Sequence, residues 1–284
     1  MRFHATMDRT RHGPVLGVSL PTLAAVLLAF TPGLTLAEAG NPLSDRFSFS
    51  VGGFLLDTST DVRIDGQTRR GTPIDLEHDL GLGDTSRYRI DAYWRFRPRH
   101  KLRVMYFGIR QSESHRLDKD ITVRDTTFPV SAQIDTHLDT DVAELAYEYA
   151  FLRRERYEVT GTVGIHNLRF EIGVSGTAGS QTGVLTASAS ASGPLPVVGL
   201  RALWRLHDRI YADAQAQFFK LEVDPYDGRL EDYSVAIIWQ AFPRVGIGIG
   251  YNEFVSRFNV DDSRFSGRLR WRYGGARLFV TASF

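Results

Sequence analysis

The chain has 284 residues, 43% hydrophobic and 24% charged, with 34 Lys plus Arg against 33 Asp plus Glu and no Cys. That balance gives no electrostatic reason to expect a nucleic-acid partner, and the missing cysteines exclude a disulfide framework and any thiolate metal site. Mean hydropathy is -0.20 and only Val15 to Leu36 approaches the length of a spanning helix, which excludes a multi-helix membrane protein. A membrane β-barrel stays open, because alternating strands cancel in any hydropathy average.

Arg2, Arg9 and Arg11 precede the apolar runs Val15 to Leu20 and Leu23 to Phe30. Small residues at Ala37 and Ala39 then satisfy an Ala-x-Ala site. Residues 1–39 therefore read as a secretory signal peptide cut after Ala37 or Ala39. Pro21, Pro32 and Gly33 interrupt the run and argue against an uncleaved anchor. Cleavage after Ala39 leaves 40–284 as one barrel domain carrying 31 basic and 31 acidic side chains.

From Arg46 onward the dominant period is two. Tyr88, Ile90, Ala92, Trp94 and Phe96 share one face, with Arg89, Asp91, Tyr93 and Arg95 on the other. Val198, Leu200, Ala202, Trp204 and Leu206 oppose Arg201 and Arg205. Tyr233, Val235, Ile237 and Trp239 oppose Asp232, Ser234 and Gln240. Val245, Ile247, Ile249 and Tyr251 alternate with Gly246, Gly248, Gly250 and Asn252, and Leu269, Trp271 and Tyr273 with Arg268, Arg270 and Arg272.

Short connections at Pro98 to His100, Arg153 to Glu155, His207-Asp208 and Phe242-Pro243 suit tight hairpins. They alternate with longer segments near 59–84, 116–136, 176–192, 224–228 and 261–264. Short turns at one end and longer loops at the other are the pattern of an outer-membrane barrel. The spacing predicts an all-β, antiparallel transmembrane barrel with short periplasmic turns and longer extracellular loops. Ten strands are expected, near 46–58, 85–97, 101–115, 138–152, 156–174, 193–206, 209–223, 229–241, 244–259 and 265–284, with eight or twelve as alternatives. Each is long enough for the about 9–11 tilted residues that cross a bilayer. Within the last strand the apolar parity changes after Gly274-Gly275, which predicts a β-bulge there. Pairing inside 176–192 would raise the count to twelve.

Outward placement of the apolar faces puts Trp94, Trp204, Trp239 and Trp271, with Phe96, Tyr149, Phe151, Tyr157 and Tyr211, at the membrane interface. The lumen is then lined by Arg89, Asp91, Arg95, Glu144, Glu148, Arg201, Arg205, Arg268, Arg270 and Arg272, where guanidinium groups can each bridge several acids. A soluble lipocalin-like barrel or a sandwich has the same alternation, but the aromatics at the short-turn ends favour the membrane.

The chain ends in Phe284, with Leu278, Val280 and Ala282 at alternate positions before it. That terminal strand resembles the signal by which barrel-assembly machinery recognises Gram-negative outer-membrane proteins, and the resemblance implies that machinery as a partner. Phe47 to Phe54, Asp79 to Leu82, Trp94 to His100 and Val163 to His166 resemble a functionally uncharacterised proteobacterial group of small outer-membrane barrels. The resemblance spans the mature chain; it implies location and fold and supplies no substrate.

Outer-membrane barrels also include omptin-like proteases, lipid A deacylases and phospholipases, whose hydrolytic groups would lie near the loop-facing strand ends. Ser112, Ser114, His115, Asp135, His137, Asp139, Asp141 and His166 are the candidates. Neighbours in a strand point to opposite faces, so Ser114-His115 cannot pair as nucleophile and base, and no stretch matches the omptin motifs. Asp75, Glu77, His78, Asp79 and Asp84 make an oxygen-rich first loop without the spacing of a Ca²⁺ site. Arg110, Arg116 and Arg124 are candidate contacts for lipopolysaccharide phosphates. No catalytic, cofactor or metal residue is expected. Outer-membrane lipid and lipopolysaccharide are expected partners, in a non-enzymatic structural or surface-interaction role. The alternatives are a narrow channel for small polar or ionic solutes and a loop-based hydrolase.

Overall fold

The computed structural model describes residues 2–4, 41–83, 85–177, 184–224, 226–262 and 265–284. The expected signal peptide, 1–39, lies outside them except for a three-residue strand, β1 (Arg2–His4), set against Ser190 to Ser192. Ten long strands follow: β2 (Phe47–Ile64), β4 (Thr85–Arg97), β5 (His100–Arg116), β8 (Gln133–Arg153), β9 (Tyr157–Thr177), β10 (Val184–His207), β11 (Ile210–Val223), β12 (Tyr226–Phe242), β13 (Val245–Asp262) and β14 (Phe265–Ser283). Each pairs antiparallel with the next, and β14 returns to β2 to close the barrel. Between them lie β3 (Ile74–Asp75), α1 (Leu76–Leu80), β6 (Ile121–Val123) and β7 (Thr126–Phe128). Both ends of the barrel chain meet on the tight-turn side, where Phe284 and Phe47 exchange backbone hydrogen bonds at 2.9 Å.

The expected strand count holds, and pairing in the Ala/Ser/Gly segment lengthens β9 and β10 instead of adding strands. Residues 178–183, within that segment, lie outside the described residues. β8 and β9 run 21 residues each, roughly 70 Å of chain at ~3.4 Å per residue. The bilayer takes about 9–11 of those positions, so about half of each long strand stands above it.

One correction concerns β14. Its register with β13 and β2 runs unbroken through Gly274 and Gly275, so there is no bulge. Odd positions face inward along the whole strand: Trp271, Tyr273, Phe279 and Thr281 are buried, while Arg268, Arg270, Arg272, Leu278 and Val280 are exposed. What changes at the glycines is the surrounding medium. Towards the turns the outer face carries Ala276, Leu278, Val280 and Ala282; towards the loops the same face carries Arg268, Arg270 and Arg272.

The other strands invert at the same level. On β8 the outward residues pass from Phe151, Tyr149, Tyr147 and Leu145 to Asp141, Asp139, His137 and Asp135, while the inward ones pass from Glu148 and Glu144 to Val142, Leu138 and Ile134. The lower barrel is apolar outside and charged inside; the upper barrel is polar outside and filled by apolar side chains. A wall in lipid must show hydrocarbon outward, whereas a wall in water must bury its apolar residues within.

Candidate functional site: a charged lumen beneath a sealed mouth

In the lower lumen the acids and cations of distant strands interlock. Glu158 accepts from Arg95 Nη1 and Lys101 Nζ, both at 2.6 Å. Glu148 takes Arg103 Nε at 2.7 Å and lies 3.1 Å from Lys101 Nζ. Arg201 grips Asp213 through Nε and Nη2 at 2.9 and 2.8 Å. Asp91 lies between Arg89 at 3.0 Å and Arg277 at 3.1 Å. Arg89 donates onward to Asn252, which donates to Asp232, each at 2.8 Å. Above them His166 Nε2 and Gln217 Oε1 are 2.9 Å apart, and Gln217 Nε2 donates to Glu144 at 2.6 Å. Six cations thus face six carboxylates, so charges too costly to bury alone are paired. A cavity of about 70 Å³ remains among Asp91, Arg103, Arg201, Asp213 and Arg277.

Both ends of this layer are closed by protein. At the periplasmic mouth the turn before β2 inserts Pro42 and Leu43, with Leu43 packed on Leu203 and Tyr211. Arg153 Nη2 and Tyr93 Oη hold the carbonyls of Leu43 and Pro42 at 2.9 and 3.2 Å. Above the charges, Phe54, Phe107, Phe254, Trp271 and Tyr273 form an aromatic plug, with Tyr273 and Phe254 stacked at 4.9 Å between centroids. A third layer fills the upper barrel, where Leu76 and Leu80 of α1 and Ile121, Val123 and Phe128 of the β6–β7 hairpin pack against Ile64, Ile134 and Ile172.

The acids of the first loop serve this cap. Asp75 caps α1 by accepting from His78 N at 2.8 Å, and Gly81 ends the helix with φ 74°. Glu77 accepts from Thr60 N and Oγ1 at 2.7 and 2.9 Å, and Asp79 pairs with Lys119 at 2.7 Å. No group of three or more His, Asp or Glu side chains suited to a metal ion occurs among the described residues; Asp84 lies outside them. Asp125 of the hairpin clamps the loop through Gln67 N and Thr68 N, each at 3.0 Å. The amides of Thr68 and Gln67 and the Thr68 hydroxyl hold its carboxyl down at about 2. Asp65, at the end of β2, is pushed up by burial but held below the usual range by Gly71 N, Ser266 and Arg63.

The structure brings Arg89, Asp91, Arg95, Glu144, Glu148 and Arg201 into the lumen, with Arg205 at the periplasmic rim beside Tyr211. Arg268, Arg270 and Arg272 do not belong there: they stand outside the upper wall in water. Trp94, Trp204 and Trp239 are exposed at the turn-side rim of the apolar belt, whereas Trp271 is 2% exposed within the plug. Tyr211 likewise points inward, its hydroxyl 3.4 Å from Asn41 Oδ1.

Lys101, Arg103, Glu158, Asp213 and Arg277 are central residues missing from the expected lumen set. Hairpin register was a usable signal for Lys101, which lies between Arg95 and Glu148. Arg277 alternates with the outward Leu278 and Val280, and that alternation was a usable signal for its inward face.

Of the hydrolytic candidates, Ser112 and His137 stand opposite each other in the β5–β8 register, and His166 lies apart from them. His137, Asp139, Asp141, Ser112 and Ser114 all lie on the outer face of the upper wall, and His166 is fully buried in the lumen. Ser114 Oγ hydrogen-bonds Asp135, and Tyr106 donates to Asp141 at 2.8 Å. Arg110 and Arg116 are exposed, and Arg124, in the β6–β7 turn at φ 58°, donates its backbone N–H to Ile64.

No protein-family profile and no curated protein sequence matches the chain. Solved structures do. The outer membrane protease OmpT of Escherichia coli aligns over 88% of this chain and 99% of its own, with a TM-score of 0.55 and 11% identity. Ail, the attachment invasion locus protein of Yersinia pestis, in complex with the heparin analogue sucrose octasulfate, aligns over 83% and 99%, with TM-score 0.34 and 11% identity. The Pseudomonas putida toluene transporter TodX aligns over 87% and 93%, with TM-score 0.34 and 8% identity. The likeness to OmpT is one of fold: this is a ten-stranded barrel of the Gram-negative outer-membrane type.

Proposed function

We propose that this outer-membrane barrel conducts no solute, performs no catalysis and acts through its outer wall and loop platform, as a structural and surface-interacting protein of the cell envelope. The filled lumen carries the reading. A small barrel has an interior just wide enough for side chains, and here three successive layers occupy it. The 70 Å³ cavity favours a narrow channel as the second reading, since it is lined by charged groups; it lies beneath the aromatic plug.

The N-terminal segment is proposed to be removed on export, which brings the mature start close to the inserted Asn41 to Ser44 turn. Phe284 and the terminal strand are proposed to engage the assembly machinery before the β14–β2 closure forms. Planar-bilayer recording of refolded protein tests the main reading: a silent bilayer is expected, and reproducible ion-selective steps would overturn it in favour of the channel.

A further inference from the structure

Four consecutive strands each place a cation on the outer face in one cross-strand row. Lys220 pairs with Arg229, Arg229 with Arg257, and Arg257 with Arg270. Like charges directly opposite one another destabilise a sheet, so this row is unfavourable unless an anion lies across it. Lys220 and Arg229 touch Glu222 and Glu231 at 2.7 and 2.6 Å, but both pairs are open to solvent and hold their cations weakly. Arg257 and Arg270 have no ion pair among the described residues, although Asp61 of β2 stands opposite Arg270 in the register and ends the row of cations.

The row begins at the upper rim of the apolar belt. Lys220 lies two residues beyond Phe218, Arg229 four beyond Tyr233 and Arg257 six beyond Tyr251, so the row climbs away from the membrane. Phe218 and Tyr233 meet edge to face at 5.5 Å. Beneath them Tyr149, Gly161, Leu200 and Ala216 are cross-strand neighbours. The small Gly161 and Ala216 leave an apolar depression walled by Tyr147, Leu200 and Phe218. A Cβ added at Gly161 meets nothing closer than Phe151 at 4.0 Å, so the space is open.

We propose that the β9–β14 wall binds a phosphorylated glycolipid of the outer leaflet, lipopolysaccharide, in a defined site. An acyl chain lies in the depression over Gly161 and Ala216, the phosphates sit on Lys220 and Arg229, and the higher Arg257 and Arg270 meet the anionic sugars above. Charge-assisted bonds to phosphate supply the polar half, and burial of hydrocarbon supplies the other. The site depends on the outer-membrane placement and not on whether the lumen conducts.

The test uses refolded protein in micelles with bisphosphorylated lipid A, its dephosphorylated form and inorganic pyrophosphate as probes, read by retained lipid in native mass spectrometry and by the thermal midpoint. One lipid A per barrel is expected, with at least tenfold weaker retention in the Lys220→Gln/Arg229→Gln variant. Gly161→Leu, which fills the depression, weakens retention severalfold, while Arg154→Gln at the opposite end leaves it unchanged. Wild-type retention in both the double variant and Gly161→Leu overturns the site. So does equal protection by pyrophosphate, which marks a headgroup-independent anion patch, or equal retention of dephosphorylated lipid, which marks nonspecific apolar adhesion.

Discussion

Substitutions that share the outward face of the wall but stand on either side of the membrane boundary test the polarity inversion. Ile237 lies at the centre of the lipid-facing row Tyr233, Val235, Ile237, Trp239 and Ala241, and is 44% exposed. Ile237→Arg places a charge near the bilayer midplane and is expected to cost about 2–4 kcal/mol. Arg270→Leu changes an outward residue of the upper wall, where removal of a solvated charge shifts stability by no more than about 0.5 kcal/mol. Trp271→Ala, one position away on the inner face, empties the plug and is expected to cost about 3–5 kcal/mol. Urea unfolding in lipid vesicles, followed by the mobility difference between folded and unfolded barrel on gels, ranks the three. A loss of about 3–5 kcal/mol for Arg270→Leu, the cost of breaking a buried ion pair, together with a mild Trp271→Ala, would place the arginines in the lumen and refute the inversion.

Two further expectations concern the charged layer and the cap. Glu158→Gln leaves Arg95 and Lys101 buried without their shared carboxylate and is expected to cost about 3–5 kcal/mol. Adding Lys101→Met should recover part of that loss, so an additive double-mutant cycle would refute the coupling. For Asp125 the folded pKa of about 2 lies below an unfolded carboxylate near ~3.9. Its contribution is therefore complete above about pH 4 and disappears as pH falls through the folded value. Asp125→Asn removes one accepting oxygen, so the amides of Gln67 and Thr68 should exchange severalfold faster at pH 7; unchanged exchange would deny the clamp.

Much of the barrel was legible in one dimension because strand alternation and turn chemistry are local. Pro98-Arg99, His207-Asp208 and Pro243 mark hairpins wherever their strands end, and period two assigns Arg89 and Glu148 to the face opposite Trp94 and Tyr149. Shear is not local: it brings Arg95 to Glu158 and Arg89 to Asn252 across separations of 63 and 163 residues.

The sequence alone determined an all-β chain of antiparallel strands with tight turns at one end, since each of those features is written in neighbouring residues, while the pairing of β9 with β10 settled the count at ten. Only the tertiary structure decided which medium each face meets. Alternation distinguishes two faces and is silent about what lies beyond them, so the switch after Gly274-Gly275 is equally compatible with a bulge or a membrane boundary. The unbroken register with β13 and β2 selects the boundary, and with it Arg268, Arg270 and Arg272 pass from the lumen to water and Trp271 from the interface to the core.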